Sequence, residues 1–536
     1  MAKRPTRANP RLVPLPGSST ARLAGVRATP APRSRTRLTL TLRLRSREKR
    51  LDLLPLLRAI TTGRRPPLRR DEFTARFGAA RADIVRIRQF ARAHGFRVGR
   101  VWIAERRLHL SGPVSALAEA FGVRRVVCTK GAETWASYQG AMSVPRELAG
   151  CVVGVYGFNQ RHQAGRGGTA DAAAPTQTPR PRASYLPTQV GEAYRFPPGV
   201  DGRGQTIGVI ALGGGYLESD LRTFFRRLGI RKPTFTAVSV DGARNAPYGQ
   251  SAAFDGEVTG DIETVGALAP GARVAVYFAP NTARGFLDAV SAAVHDSKRN
   301  ISVLSISWGQ AEVHFARRTI KAFNDVLLEA AVLGVTVCCS SGDHGAFADT
   351  RDRVPHVNFP ASSPYALACG GTTLVAKGKR IVSESVWHNK TGASGGGVSV
   401  VFARPSWQRR SRVPKASNGR RGRGVPDVAS NADPQTGFRI FGHGGWHVGA
   451  GTSAAAPLWA ALVARINQAR GVPVGLVTPF LYGHYPRLAK DGAIRPITRG
   501  GNGTYRARRG WSGCTGLGAP DGVTLVDAIQ HPRAPR

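Results

Sequence analysis

A serine sits in G-A-G-T-S-A-A-A-P, residues 449–457, which runs directly into an apolar helical stretch at 458–468. Thr452 or Ser453 can cap such a helix, and the positive end of its dipole favours an alkoxide on Ser453. The small neighbours let another backbone approach. A bare G-T-S would read as an ordinary capped helix. The Gly-rich strand before it and the proline after it make the whole segment much more specific.

Carboxylates offer a second chemistry. In D-G-E-V-T-G-D-I-E, residues 255–263, Glu257 and Asp261 are four apart and share a helix face. If that face is buried, the like charges repel, one pKa rises and the pair shares a proton. A solvated acidic first turn would be the simpler reading, but Val258, Ile262, Val265 and Leu268 mark an apolar side beside the pair. A third segment, S-S-G-D-H-G at 340–345, places Asp343 at the carboxyl end of an apolar strand pattern. Open α/β sheets bind ligands there, although an Asx turn alone would also account for that Asp.

The elements that must hold these groups show in the hydrophobic pattern. Strand-like runs at 206–212, 273–278, 303–307 and 335–340 alternate with helical patterns at 219–228, 283–295 and 319–333. This alternation predicts a doubly wound parallel α/β sheet. Upstream, strand patterns at 38–44, 98–103, 107–110 and 123–128 alternate with helical ones at 52–60, 82–94 and 113–121. They predict a ferredoxin-like α+β unit. Residues 1–37 are rich in Arg, Pro and Ala without apolar period and predict a disordered basic tail. Residues 161–183, polar and rich in Pro, Gly and Ala, predict an exposed linker open to proteolysis. The expected division is therefore 1–37, 38–160, 161–183 and 184–536.

Composition narrows the function classes. The 536 residues include 42% hydrophobic ones, enough for a sizeable core, and carry a formal net charge of +44. Such an excess invites a nucleic-acid reading. Yet 66 of the 77 basic residues are Arg, and the 64 Gly and 36 Pro point to a compositional bias. The basic excess is densest in the first hundred residues and lacks the interleaved aromatics of an RNA-binding sheet, so nucleic acid is not expected as the main partner. No apolar run is long enough to span a membrane. The first fifty residues contain no apolar core of a secretory signal. Six cysteines without C-x-x-C spacing read as buried or incidental thiols.

Taken together, the segments resemble the sedolisin (serine-carboxyl peptidase) family, and most closely its kumamolisin-like branch. Colinear with the three sites run IALGGGY (210–216), DIETVGALAPGARVAVYFAPNT (261–282), SISWG (305–309), FPASSPYALACGGT (359–372), GRGVPDVASNADPQTGF (422–438) and CTGLGAP (514–520). The resemblance covers about 38 to 530. It implies a subtilisin-like catalytic domain behind a ferredoxin-like activation propeptide, with the mature enzyme starting within 182–197. It also implies a serine-type endopeptidase made as a self-processing zymogen, with Ser453 the nucleophile, Glu257 the general base, Asp261 orienting Glu257 and Asp343 donating to the oxyanion. Trp308, Gly309 and Asn358 would line the substrate cleft. Glu257 must be ionised while Asp343 is protonated, so activity is expected in acid. Protein or peptide substrates, the propeptide as intramolecular inhibitor, a monomer and an extracellular location complete the expectation. The alternative is a catalytically inactive homologue that binds peptides. A nucleotide site at Gly213–Gly215 is weak, since G-x-G-x-x-G and a ribose-binding acid are missing. True subtilisins share the serine segment but need a His in a GHGTH-type segment; GHGGWH at 442–447 only mimics it.

Departures from the family pattern are informative. The family builds a Ca²⁺ site from two aspartates and backbone carbonyls. Here the aspartate positions hold Pro496 and Ser512, leaving the carbonyls of Ile497 and Gly510 beside Arg495, Arg499, Arg508 and Arg509. Hard Ca²⁺ needs oxygen ligands, usually carboxylates, so no metal is expected. A glutamate that some relatives link through a Trp to the acid pair is Ala211. An aspartate that some relatives offer to a basic side chain before the scissile bond is Asn358, so no basic preference is expected.

Overall fold

The computed structural model describes residues 12–20, 25–49, 52–162, 165–166, 182–249, 251–350 and 352–532. The run T-I-G-V-I-A at Thr206–Ala211 is buried at every residue. Only a strand covered on both faces tolerates that. Phe235–Ser239, Arg273–Phe278, Thr206–Ala211, Val303–Ile306, Thr336–Ser340 and Leu367–Lys377 lie side by side and parallel, in that order. Val428–Asn431 joins the first part of Leu367–Lys377 in parallel, and Arg380–Val386 runs antiparallel to its second part.

Two helices cover the face that matters for chemistry. The acid helix, Ala252–Leu268, carries Glu257 and Asp261, and the serine helix, Thr452–Arg470, carries Ser453. They pack on each other, with Val258, Ile262 and Val265 sharing a core with Leu458, Leu462, Val209 and Val276. On the opposite face, Ala283–Val294 and Arg317–Val332 close a second core with Ile210, Leu304 and Val337. The expected doubly wound sheet is observed.

The amino-terminal unit docks onto those last two helices. Its main sheet runs Arg97–Trp102, Arg107–Pro113, Arg37–Leu44, Val152–Tyr156, all antiparallel. In chain order that is second, third, first, fourth, the ferredoxin-like arrangement, with Arg81–Ala93 and Val114–Ala120 packed on one face. Side chains alternate along Arg37–Leu44. Leu40, Leu42 and Leu44 face the unit's own core, whereas Thr41 and Arg43 face the catalytic domain.

Across that interface Glu329 pairs with Arg106 and with Arg43 (3.5 Å) and faces Nε2 of His295 at 2.9 Å. Burial works against the charge of Glu329, but Arg106 leads the surrounding cations in holding its carboxyl well below the usual range. Asp288 accepts from Thr41 at 2.6 Å and lies 3.5 Å from Arg107. Prodomain cations thus meet buried catalytic-domain carboxylates.

Two boundary expectations need correction. Within 1–37, Leu12–Pro14 pairs with Ser143–Pro145, and Arg27–Pro30 pairs with Arg124–Lys130, so the described part is not a disordered tail. These strands are held by backbone pairing to exposed edges, which leaves no side-chain period to read. Most of the expected linker lies outside the described residues. Its described portion is not free: Gly165–Arg166 runs antiparallel to Trp308–Gly309, and His162 bridges to Thr282. All six cysteines are buried and free. No helix among the described residues is long and apolar enough to cross a membrane.

Candidate active site

The acid helix begins at Ser251, whose hydroxyl accepts from the Phe254 amide at 3.3 Å. Its first turns pass beneath the glycine loop that follows Thr206–Ala211. A Cβ on Gly214 would lie 2.5 Å from the Phe254 backbone, so only glycine permits this approach. Glu257 and Asp261 are both buried, as their spacing on one face requires. Burial first, and the Glu257 charge second, push the Asp261 carboxyl well above its usual range. Both causes favour the protonated form of Asp261.

Ser307, at the carboxyl end of Val303–Ile306, joins Asp261 to the serine. Its hydroxyl lies 2.8 Å from Oδ1 of Asp261 and 3.2 Å from the Ser453 carbonyl. The Ser453 hydroxyl in turn donates to the Ser307 carbonyl at 3.4 Å. Ser307 was not among the expected site residues, though its place at a strand end in SISWG was the available signal.

Neither Thr452 nor Ser453 caps the serine helix. The cap is Gly451, at φ 91°, and both residues lie in the first turn. A side-chain cap is replaced by Asp343, whose Oδ1 accepts the Thr452 amide and hydroxyl, each at 2.7 Å. Oδ2 of Asp343 lies against Gly451, where a Cβ would come within 2.2 Å of it. Glycine at 451 thus brings a buried carboxyl to the turn that presents Ser453.

The expected cleft residues divide. Gly309 offers its backbone to Gly165, and Trp308 to Arg166. The Trp308 side chain is buried rather than lining the cleft: it stacks on Phe254 at 5.3 Å, and its Nε1 donates to the Ile210 carbonyl at 3.0 Å. With Ala211 in place of an acid, a backbone carbonyl takes the indole proton. Asn358 is buried, pairs with Ala311, and packs its amide on Gly342 beside Asp343.

Around the calcium positions, Ser512 is engaged with Thr515 Oγ1 at 3.1 Å and pairs its backbone with Gly516. Arg508 donates to the carbonyls of Trp511 (2.9 Å) and Arg412 (3.0 Å), and the Gly510 amide donates to the Tyr485 hydroxyl at 3.1 Å. Ile497 is buried, and residues 492–520 contain no acidic side chain. A fixed guanidinium and neutral oxygens are a poor donor set for Ca²⁺.

Comparison with known proteins bears on the two domains and the family. The family profile described as "Pro-kumamolisin, activation domain" matches residues 24–161, and that described as "Subtilase family" matches 249–473. The chain is similar to kumamolisin of Bacillus sp. (strain MN-32), 46% identical over 487 residues, covering 88% of this chain and 87% of that protein. It is 28% identical to sedolisin of Pseudomonas sp. (strain 101) over 489 residues, covering 86% and 81%. Among solved structures, Pseudomonas sedolisin (serine-carboxyl proteinase) complexed with two molecules of pseudo-iodotyrostatin superposes with a TM-score of 0.59 at 27% identity. That match covers 65% of this chain and 98% of that one.

Proposed function

The chain belongs to the sedolisin family of serine-carboxyl peptidases, on its kumamolisin branch, and from that premise we propose that it is an acid-acting endopeptidase that processes itself. It is a serine-type peptidase with an activation prodomain; the residue roles below are our reading of its site. The observation that carries the reading is the junction at Ser307. There Asp261, Ser453 and the strand that pairs with the chain's own Gly165–Arg166 meet.

Glu257, ionised, takes the proton of Ser453 as Oγ attacks the scissile carbonyl and returns it to the leaving amine. Asp261, protonated, donates to Glu257 and keeps it oriented. Asp343 donates from Oδ2 to the oxyanion, its Oδ1 being occupied by Thr452. Water then hydrolyses the acyl-enzyme by the same proton route. Asp343 is a donor only while protonated and Glu257 a base only while ionised, so the reaction runs in acid.

The prodomain covers the helices 283–294 and 317–332, and Gly165–Arg166 pairs as an added strand with Trp308–Gly309. This supports intramolecular inhibition followed by cleavage of that segment. Pro496 and Ser512 stand at the two aspartate positions and residues 492–520 carry no carboxylate, which supports a peptidase that works without calcium. Protein substrates, a monomeric state and an extracellular setting follow from the family alone. The test is to acidify the purified precursor. Cleavage within 161–183 is expected, with Ser453→Ala blocking it; processing of the Ser453→Ala protein without added protease would refute self-cleavage.

A further inference from the structure

GHGGWH, residues 442–447, has no part in the chemistry above, yet it lies in the hairpin that delivers the nucleophile. The strands Phe438–Gly442 and Gly445–Gly449 pair antiparallel, and Gly449 leads through a short turn into Thr452 and Ser453. The seating of this hairpin on the acid helix therefore bears on how the serine turn meets that helix.

Two carboxylates of the acid helix tie the hairpin down, one on either side of the catalytic pair in sequence. Oε2 of Glu263 accepts the Phe441 amide at 2.8 Å. Oδ2 of Asp255 lies 3.0 Å from Nε2 of His443. Asp255 is buried, and it also accepts the amides of Gly215 and Tyr248, each at 2.8 Å. One carboxylate therefore gathers the glycine loop, the loop carrying Tyr248, and the hairpin, two residues before Glu257.

His443 occupies the hairpin turn at φ 51°, with its ring against Tyr248 at 4.4 Å and its side chain 28% exposed. The groups facing it are Asp255 from the acid helix, Tyr248 from the neighbouring loop, and on its own hairpin His447, which contacts the Gly442 carbonyl. Arg227 and Arg439 lie farther along, over Trp446 and Phe441.

We propose that His443 is a positioning residue of this peptidase, docking through Asp255 the hairpin that carries Ser453 onto the helix that carries Glu257. The contact joins an imidazole nitrogen of the hairpin turn to a buried carboxyl that three loops share, so it fixes where the turn sits on the helix. This role rests on the acid-peptidase reading. The histidine aids catalysis by geometry and never touches the substrate, unlike the histidine that GHGGWH mimics.

The experiment measures kcat and KM from pH 3 to 7 for wild type, His443→Ala, His443→Gln, Asp255→Asn and the double variant His443→Ala/Asp255→Asn. His443→Ala is expected to lower kcat about tenfold with KM little changed. His443→Gln, a neutral donor of similar reach, should recover most of it. The double variant should be no worse than Asp255→Asn alone, because both act through one contact. A His443→Ala kcat within about twofold of wild type throughout, or losses that multiply in the double variant, would overturn the proposal. A wild type inert in acid would instead defeat the peptidase reading. The clasp is then read alone, by the NMR signals of the His443 ring in the Ser453→Ala precursor at fixed pH. Asp255→Asn should displace them, and unchanged signals overturn the clasp.

Discussion

Glu263 gives the sharpest quantitative test, because its carboxyl is fully enclosed beneath the hairpin and is not part of the acid pair. Burial is the main cause that pushes its pKa from the ordinary 4.5 to about 9, against the opposing bond from the Phe441 amide. Folded protein thus holds this proton while the unfolded chain releases it above pH 4.5. With the unfolded state binding fewer protons, stability falls as pH rises. The contribution is intact below pH 4.5, declines by about 1.4 kcal/mol per pH unit, and levels off only near the folded value. Between pH 4.5 and 7 the wild type should lose about 3 kcal/mol from this group alone. Glu263→Gln removes the titration while keeping an oxygen for the Phe441 amide. Its buried NH₂ brings a constant cost of about 1–3 kcal/mol, so the readout is the slope and not the offset. Urea unfolding of the Ser453→Ala precursor with and without Glu263→Gln, from pH 4 to 8, supplies that slope. The variant should gain on its parent by about 1.4 kcal/mol per unit, and parallel curves would refute a neutral buried Glu263.

Two further outcomes follow from features described above. On the reading that this member has lost its calcium, a millimolar chelator should leave both the activity of the processed enzyme and its Tm unchanged to within about 1 °C. A loss of activity restored by Ca²⁺ alone would refute that reading. Arg106→Ala strips Glu329 of its tightest partner at the prodomain interface, and breaking a buried pair of this kind costs about 3–5 kcal/mol. The precursor should therefore process at least about tenfold faster at fixed pH, and an unchanged rate would remove this pair from prodomain retention.

Much of this was legible in the chain. Strands such as Thr206–Ala211 are read from their apolar runs because a doubly covered sheet demands little else. Glu257 and Asp261 show through their spacing on a helix, and Ser453 through the small residues around it. Less legible were contacts between segments far apart. Asp255 and His443 are 188 positions apart, and each alone looks like a surface residue. Ser307 gives no signal beyond its strand end. Arg27–Pro30 is held by backbone to a sheet edge, so its side chains carry no period. Val152–Tyr156, the fourth strand of the prodomain sheet, lies beyond the last strand pattern expected there, and only the tertiary pairing with Arg37–Leu44 defines it.

The strand Trp308–Ala311 has Asn358–Phe359 on one side and Gly165–Arg166 on the other. Once the linker departs, that second side is an edge that bonds to peptide groups and so admits many sequences. What it does not admit is a helix or a chain already paired elsewhere, because the incoming segment must give up its own backbone bonds. On the reading proposed here, the first selection is made by the substrate's stability and only the second by its side chains. Acid that melts a target protein then does as much to choose the cut as any pocket in the enzyme.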